Sequence, residues 1–325
     1  MGFMRKVKEL RGAVYNHHNM AHPSVTPGTS PGTIRLFRFA GIDVFLHWSW
    51  GLVAILELQT RKDHYQSPLW NLAEYLTLFL IVLLHEFGHS LACRSVGGRA
   101  DRILLWPLGG VAYVDPPRRP GAMLWSIAAG PLVNVLLVPV TLGMYFFADR
   151  LLPGASRDLL EYLYMIAFIN IGLLVFNMLP IYPLDGGQVL QSILWFFVGQ
   201  ARSLAIAATI GFIGAAAGCG LALYIGDWWL VIIAIFAASR CREGMRQSKN
   251  LSALLSQPRY GGMKCPSCGE APVIGAVIAR CACGQRFDPF STGGACPSCR
   301  STSGVVPCAM CNRTSELGAW RTPML

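Results

Sequence analysis

Residues 76–93, LTLFLIVLLHEFGHSLAC, would dissolve in a bilayer but for three ionisable side chains crowded into five positions: His85, Glu86 and His89. A helix lets such a run satisfy its own backbone in an apolar medium. On that helix residues four apart share a face, so both imidazoles point the same way and can share one zinc ion. Glu86 lies beside them, placed to accept a proton from water at the metal. Ionisable groups are costly inside a membrane, and where they occur they mark functional positions. The run therefore implies a hydrolytic metal site within a membrane.

The rest of the chain supports a membrane setting. Charged residues make up 14% of the 325 positions, against about 25% in soluble domains. With roughly 20 apolar residues needed per crossing, spans are expected at about 44–60, 70–96, 122–148, 158–180, 203–225 and 227–240. Lys and Arg cluster before the first (Arg35, Arg38), after the second (Arg94, Arg99, Arg102, Arg118, Arg119) and after the sixth (Arg240, Arg242, Arg246, Lys249). The positive-inside rule then puts both termini in the cytoplasm, with six crossings of the cell membrane and lipid all round. Part of the formal net charge of +10 reports this topology. Residues 1–34 read as a disordered basic segment rich in Pro, Gly, Ser and Thr, with no apolar core of a signal peptide. The expected organisation continues with a transmembrane domain over 35–240, a linker over 241–264 and a cysteine-rich tail over 265–325. The fold class is an all-α polytopic membrane protein of about six transmembrane helices, with one small membrane-surface β-hairpin and a zinc-ribbon region.

The hairpin is expected at 101–114, DRILLWPLGGVAYV, too short and interrupted to cross. Its β-branched and aromatic residues flank Pro107, Gly109 and Gly110. It is either a connecting loop or an edge strand that pairs with an extended substrate, and the second reading is preferred. A hydrolytic zinc also needs a third protein ligand and an open position. Asp185, in NMLPIYPLDGG, is the one acid in its neighbourhood and lies level with the His85–His89 end of the second span. Its flanking prolines and glycines bend backbone towards a cavity, although an Asp before Gly-Gly also simply starts turns. His47, between apolar residues and Trp48, reads as an interface anchor, and His17 and His18 as solvated. Cys93, Cys219 and Cys241 read as isolated apolar thiols.

HEFGH in one span and NMLPIYPLDGG at the end of a later one resemble the site-2 protease family of intramembrane zinc metalloproteases. GIDVFLHWSW, LWPLGGVA and AAGPLVNVL are similar to further parts of its pattern, so the resemblance covers about residues 34–240. It implies that His85, His89 and Asp185 hold zinc and that Glu86 is the general base. It also implies that Asn134 and Asn177 lie near the catalytic centre, where their amides would donate to an oxyanion. Amides in membrane helices also serve as interhelical glue. Loops here have no room for the PDZ domain of some relatives, and a cysteine-rich tail stands where others carry paired CBS domains.

That tail reads Cys265-Pro-Ser-Cys268, Cys281-Ala-Cys283, Cys296-Pro-Ser-Cys299 and Cys308-Ala-Met-Cys311, the spacing of four-cysteine zinc sites. Neighbouring pairs would give two ribbons, Cys265, Cys268, Cys281 and Cys283, then Cys296, Cys299, Cys308 and Cys311. An interleaved cross-brace fits the same spacing. A cytoplasmic tail favours structural zinc over disulfides, making two structural ions beside one catalytic Zn2+. Residues 241–325 carry ten Lys or Arg and four Asp or Glu, so 10 − 4 = +6. Without aromatic–basic interleaving, nucleic acid is a poorer partner for the tail than protein. The leading expectation is an intramembrane zinc endopeptidase acting on a single-pass membrane protein. The alternatives are a membrane-anchored zinc-ribbon scaffold with a degenerate core, and hydrolysis of a lipid or small amide at the same zinc.

Overall fold

A computed structural model describes residues 32–60, 64–106, 109–152, 154–302, 304–311 and 313–320. The expected disordered segment, 1–34, falls outside these except for residues 32–34, of which Thr33 and Ile34 already belong to a strand. The chain divides into one compact unit of Thr29–Ser248 and another containing Lys249–Leu325.

The first unit begins with β1 (Thr33–Phe39) and β2 (Ile42–His47), a hairpin, followed by a short helix α1 (Trp50–Thr60) and a long one, α2 (Pro68–Ser95). Then come β3 (Arg99–Trp106), β4 (Gly109–Asp115), α3 (Pro120–Leu151), α4 (Arg157–Asn177), α5 (Asp185–Val198), α6 (Gln200–Ile225) and α7 (Trp228–Leu255). Four of these, α2, α3, α4 and α6, are long and apolar enough to cross a membrane, and the protein is an integral membrane protein of mostly helical fold.

The strands form one sheet in the order β1-β2-β3-β4, parallel between β2 and β3 and antiparallel elsewhere. Parallel neighbours need a crossover, which α1 and α2 supply. Alternate residues of the central strands, Ile42 and Val44, Ile103 and Leu105, are fully buried. They pack with Trp50 of α1 and Val82 and Leu83 of α2, so the sheet is bound to the helix that carries His85.

Three expectations change. The span expected at 44–60 is the end of β2 plus an 11-residue helix, about 16 Å long and too short for a hydrocarbon core of ~30 Å. Predominant apolarity hid a strand of period two and a turn at Trp48–Ser49, where the Ser49 hydroxyl hydrogen-bonds His47. The hairpin of 101–114 is real, but it is half of a four-stranded sheet. The expected linker from 241 is helical to Leu255, because α7 runs on past its apolar first half into Arg240, Arg242, Glu243, Arg246 and Lys249. That charge removes α7 from the helices apolar enough to cross. The 14-residue α5 was not expected as a helix at all.

Local signals fix the helix starts. Ser67 accepts a hydrogen bond from the Leu69 N–H and Pro68 occupies the first turn of α2. The Asp158 carboxylate, at the start of α4, accepts from the backbone N–H groups of Gln66 and Ser67 at 3.1–3.2 Å. That ties two helix ends together.

In the second unit, β5 (Ala279–Arg280) pairs with β6 (Arg286–Phe287), and β7 (Val305–Pro307) with β8 (Thr314–Glu316). Trp320, Phe290, Val273, Val306 and Met310 form its core with Cys265 and Cys308.

Candidate metal centre

His85, Glu86 and His89 stand on α2 and are all buried, 5–6% exposed. Asp185 opens α5, after a bend that two features enforce. Pro180 and Pro183 cannot continue a helix, and the loop is then held from outside. The Cys241 thiol of α7 donates to the Tyr182 carbonyl at 2.9 Å, and Gln188 Nε2 donates to that of Pro183 at 2.8 Å. A carboxylate at a helix N-terminus also meets the positive end of the helix dipole.

These elements bring three side chains to one point. His85 Nε2 lies 3.0 Å and His89 Nε2 3.3 Å from Asp185 Oδ2, and the two nitrogens are 3.1 Å apart. The far side of each ring decides what those nitrogens are. His89 Nδ1 lies 3.0 Å from the Ser126 backbone carbonyl, which can only accept, so Nδ1 holds the proton. His85 Nδ1 lies 2.6 Å from Asn134 Oδ1. With each ring neutral, both Nε2 atoms present lone pairs to each other and to a carboxylate, and three such acceptors in mutual contact could hold a metal ion between them. Ligands about 2.0–2.1 Å from a tetrahedral zinc stand roughly 3.3–3.4 Å apart, close to the triangle observed. The donor set fits zinc.

Glu86, one residue from His85, also reaches the sheet. Its Oε2 accepts the Ala112 backbone N–H of β4 at 2.7 Å. Strand and carboxylate approach so closely that a Cβ on Gly110 would fall 2.2 Å from Glu86 Cγ. On the other side, a Cβ on Gly130 of α3 would fall 2.2 Å from His89 Nε2. Glycine at these two positions is a steric requirement of the site.

Asn134, expected as an oxyanion donor, is fully buried with both ends of its amide engaged. Its Oδ1 meets His85 and its Nδ2 donates to Asn170 Oδ1 at 2.8 Å. The contact with His85 can orient that ring. Asn177 closes α4, and among the described residues no hydrogen bond joins it to the cluster. Asn170 was missed. It lies outside the motifs that carry the resemblance, and its one signal in the sequence is an amide in an apolar span, seven residues before Asn177. His47 lies against Trp48 and Trp106, with ring centres 5.7 and 5.3 Å away, and is not one of the three residues of the cluster.

In the tail the thiols group as Cys265, Cys268, Cys308 and Cys311, and as Cys281, Cys283, Cys296 and Cys299. This nesting corrects both the neighbour-pair grouping and the interleaved one. The Lys264 N–H donates to the Trp320 carbonyl at 2.8 Å, which returns the end of the tail to its start. The core around Trp320 then closes the first pair on the fourth. Closest Sγ···Sγ distances are 3.7 and 3.8 Å in the outer set and 3.4 and 3.7 Å in the inner one. Sulfurs 2.3 Å from a tetrahedral zinc stand about 3.8 Å apart. The leading cysteines of the three CxxC pairs, Cys265, Cys296 and Cys308, each donate backbone N–H to the carbonyl five residues on, while Cys281 of the CxC pair donates four residues on. The missing residue is thus absorbed by a tighter loop. Within the outer set the Cys268 thiol is pulled down to about 5, first by its hydrogen bond with Cys308, and the Cys308 thiol is pushed up by the same contact.

Residues 73–150 and 153–221 match the family described as Peptidase family M50. Over 181 residues, 55% of this chain, the sequence is 36% identical to a zinc metalloprotease of Methanocaldococcus jannaschii, of which the match spans 50%. Over 141 residues, 40% of this chain, it is 35% identical to stage IV sporulation protein FB of Bacillus subtilis, of which the match spans 46%. The chain thus spans about half the length of these curated relatives. Among solved structures, the site-2 protease from Methanocaldococcus jannaschii is similar at 29% identity and a TM-score of 0.48, over 66% of this chain and 95% of that one.

Proposed function

We propose that the chain belongs to peptidase family M50, whose model matches residues 73–150 and 153–221, and that it is an intramembrane zinc endopeptidase. It hydrolyses a peptide bond within or near a transmembrane segment of a membrane-protein substrate. One observation carries the reading: three acceptor atoms converge within 3.3 Å of one another, two of them on a helix apolar enough to span the bilayer, with a buried carboxylate next in sequence. Zinc held by His85, His89 and Asp185 supplies Lewis acidity and a nucleophilic water at neutral pH. Everything else falls to the protein. Glu86 accepts the proton of the attacking water and passes it to the departing amine. An amide of Asn134 or Asn177 would donate to the developing oxyanion.

A substrate helix has its carbonyls bonded internally, so the scissile stretch must unwind. The outer edge of β4, whose Val111 and Tyr113 are exposed, can pair with the freed backbone by strand addition. Both termini lie on the cytoplasmic side of the cell membrane, and the tail holds two structural zinc ions and engages a protein partner.

The test compares membranes of cells making the wild-type chain with membranes of cells making Glu86→Gln. Protein termini inside transmembrane segments are mapped by mass spectrometry. Termini present only with the wild type support the reading and name the substrate. Identical maps, with both chains zinc-loaded, refute it in favour of a scaffold that displays the tail.

A further inference from the structure

The two histidines need the same tautomer and reach it by different routes. His89 has a backbone carbonyl, that of Ser126, directly on its Nδ1. His85 has a side-chain amide, and an amide has two ends of nearly equal size. Turned over, Asn134 would present its NH2 group to His85 Nδ1. That nitrogen would then have to accept, the proton would move to Nε2, and the metal would lose a ligand. Something must decide which way Asn134 faces.

We propose that Asn170 is the positioning residue that makes this choice, by locking the Asn134 amide with its oxygen towards His85. The argument runs back to one unambiguous atom. The backbone carbonyl of Asn134 only accepts, and Asn170 Nδ2 donates to it at 3.1 Å. That fixes the NH2 end of Asn170, which leaves its Oδ1 to face Asn134. Oδ1 accepts from Asn134 Nδ2 at 2.8 Å, fixing the NH2 end of Asn134 in turn. Only Oδ1 of Asn134 is left for His85, at 2.6 Å. Both asparagines are fully buried, so solvent does not stand in for either. The relay joins α4, which leads into the Asp185 bend, to α3 and then to the ligand on α2.

The inference rests on the zinc-site reading, and the test separates the two. Zinc affinity of the full chain is measured by chelator competition, and His89→Ala gives the zinc held by the tail alone. Asn170→Leu, or Asn170→Ala where the larger side chain prevents accumulation, should weaken the histidine site about 10- to 100-fold, the usual cost of losing a partner that orients a ligand. The same substitution is then made in an Asn134→Asp background. A carboxylate offers an oxygen whichever way it turns, so there the loss should shrink to about threefold or less. An equal loss in both backgrounds would assign Asn170 a packing role and overturn the proposal, as would no loss in the first. A wild-type chain without zinc beyond that of His89→Ala would overturn the zinc-site reading itself.

Discussion

Gly130 offers a sharp test because one methyl group reaches the metal ligand without altering any donor. A Cβ at this position would lie 2.2 Å from His89 Nε2, 2.4 Å from Cε1 and 2.7 Å from Cδ2, whereas ordinary contact begins at 3.4 Å. Either the ring or the helix must therefore give by 3.4 − 2.2 = 1.2 Å. The ring is pinned by the Ser126 carbonyl at 3.0 Å behind it and by His85 and Asp185 in front. Overpacking of this kind costs about 1–3 kcal/mol, and a displacement of ~1 Å at a reacting centre costs on the order of 10²-fold in rate. Gly130→Ala should thus lose at least tenfold in zinc affinity at the histidine site while the tail zinc stays. Alanine also favours a helix by about 1 kcal/mol over glycine, so the control is Gly143→Ala. It lies on the same helix, where a Cβ meets nothing within 4 Å, and it should bind zinc as the wild type does. Wild-type zinc affinity in Gly130→Ala, by chelator competition, would refute the packing account of the site.

Gly110→Val should abolish proteolysis with zinc content unchanged, since its side chain strikes Glu86 and not the histidines; loss of zinc would show that the sheet supports the ligands too. Asp185→Asn keeps the shape but removes the charge shared with both imidazoles, and zinc affinity at that site should fall by about 10-fold or more; calorimetry showing no change would remove Asp185 from the ligand set. In the tail, Cys265→Ser and Cys311→Ser should each cost the same single zinc equivalent, and together no more than one. Cys265→Ser combined with Cys299→Ser should cost two, and one lost equivalent there would contradict the nested grouping.

The site was more legible in the sequence than the fold around it. Ligand spacing on a helix is local: His85 and His89 share a face by periodicity alone. Asp185 stood out as an acid among prolines. The first span misled because Val44–Trp50 is mostly apolar, broken only by His47 and Ser49, and apolarity does not distinguish a strand buried on α2 from the start of a membrane helix. Only the burial of Ile42 and Val44 against Ile103 and Leu105 settles it. The cysteine grouping misled for the opposite reason. Spacing favours neighbours, but the nested pairs are set by Trp320 and its core, more than fifty residues from Cys265. Asn170 shows the limit of residue type as a guide. Its role depends on a partner on another helix, and nothing in its own neighbourhood ranks it above Asn177.

The central claim is that His85, His89 and Asp185 hold a zinc ion, and zinc-edge anomalous diffraction from crystals of the full chain addresses it directly. The account predicts three peaks. One lies among His85 Nε2, His89 Nε2 and Asp185 Oδ2, and one lies in each cysteine tetrad. Two tail peaks with none at the histidines would contradict it, because the filled tail would prove that zinc was supplied and the membrane site did not take it.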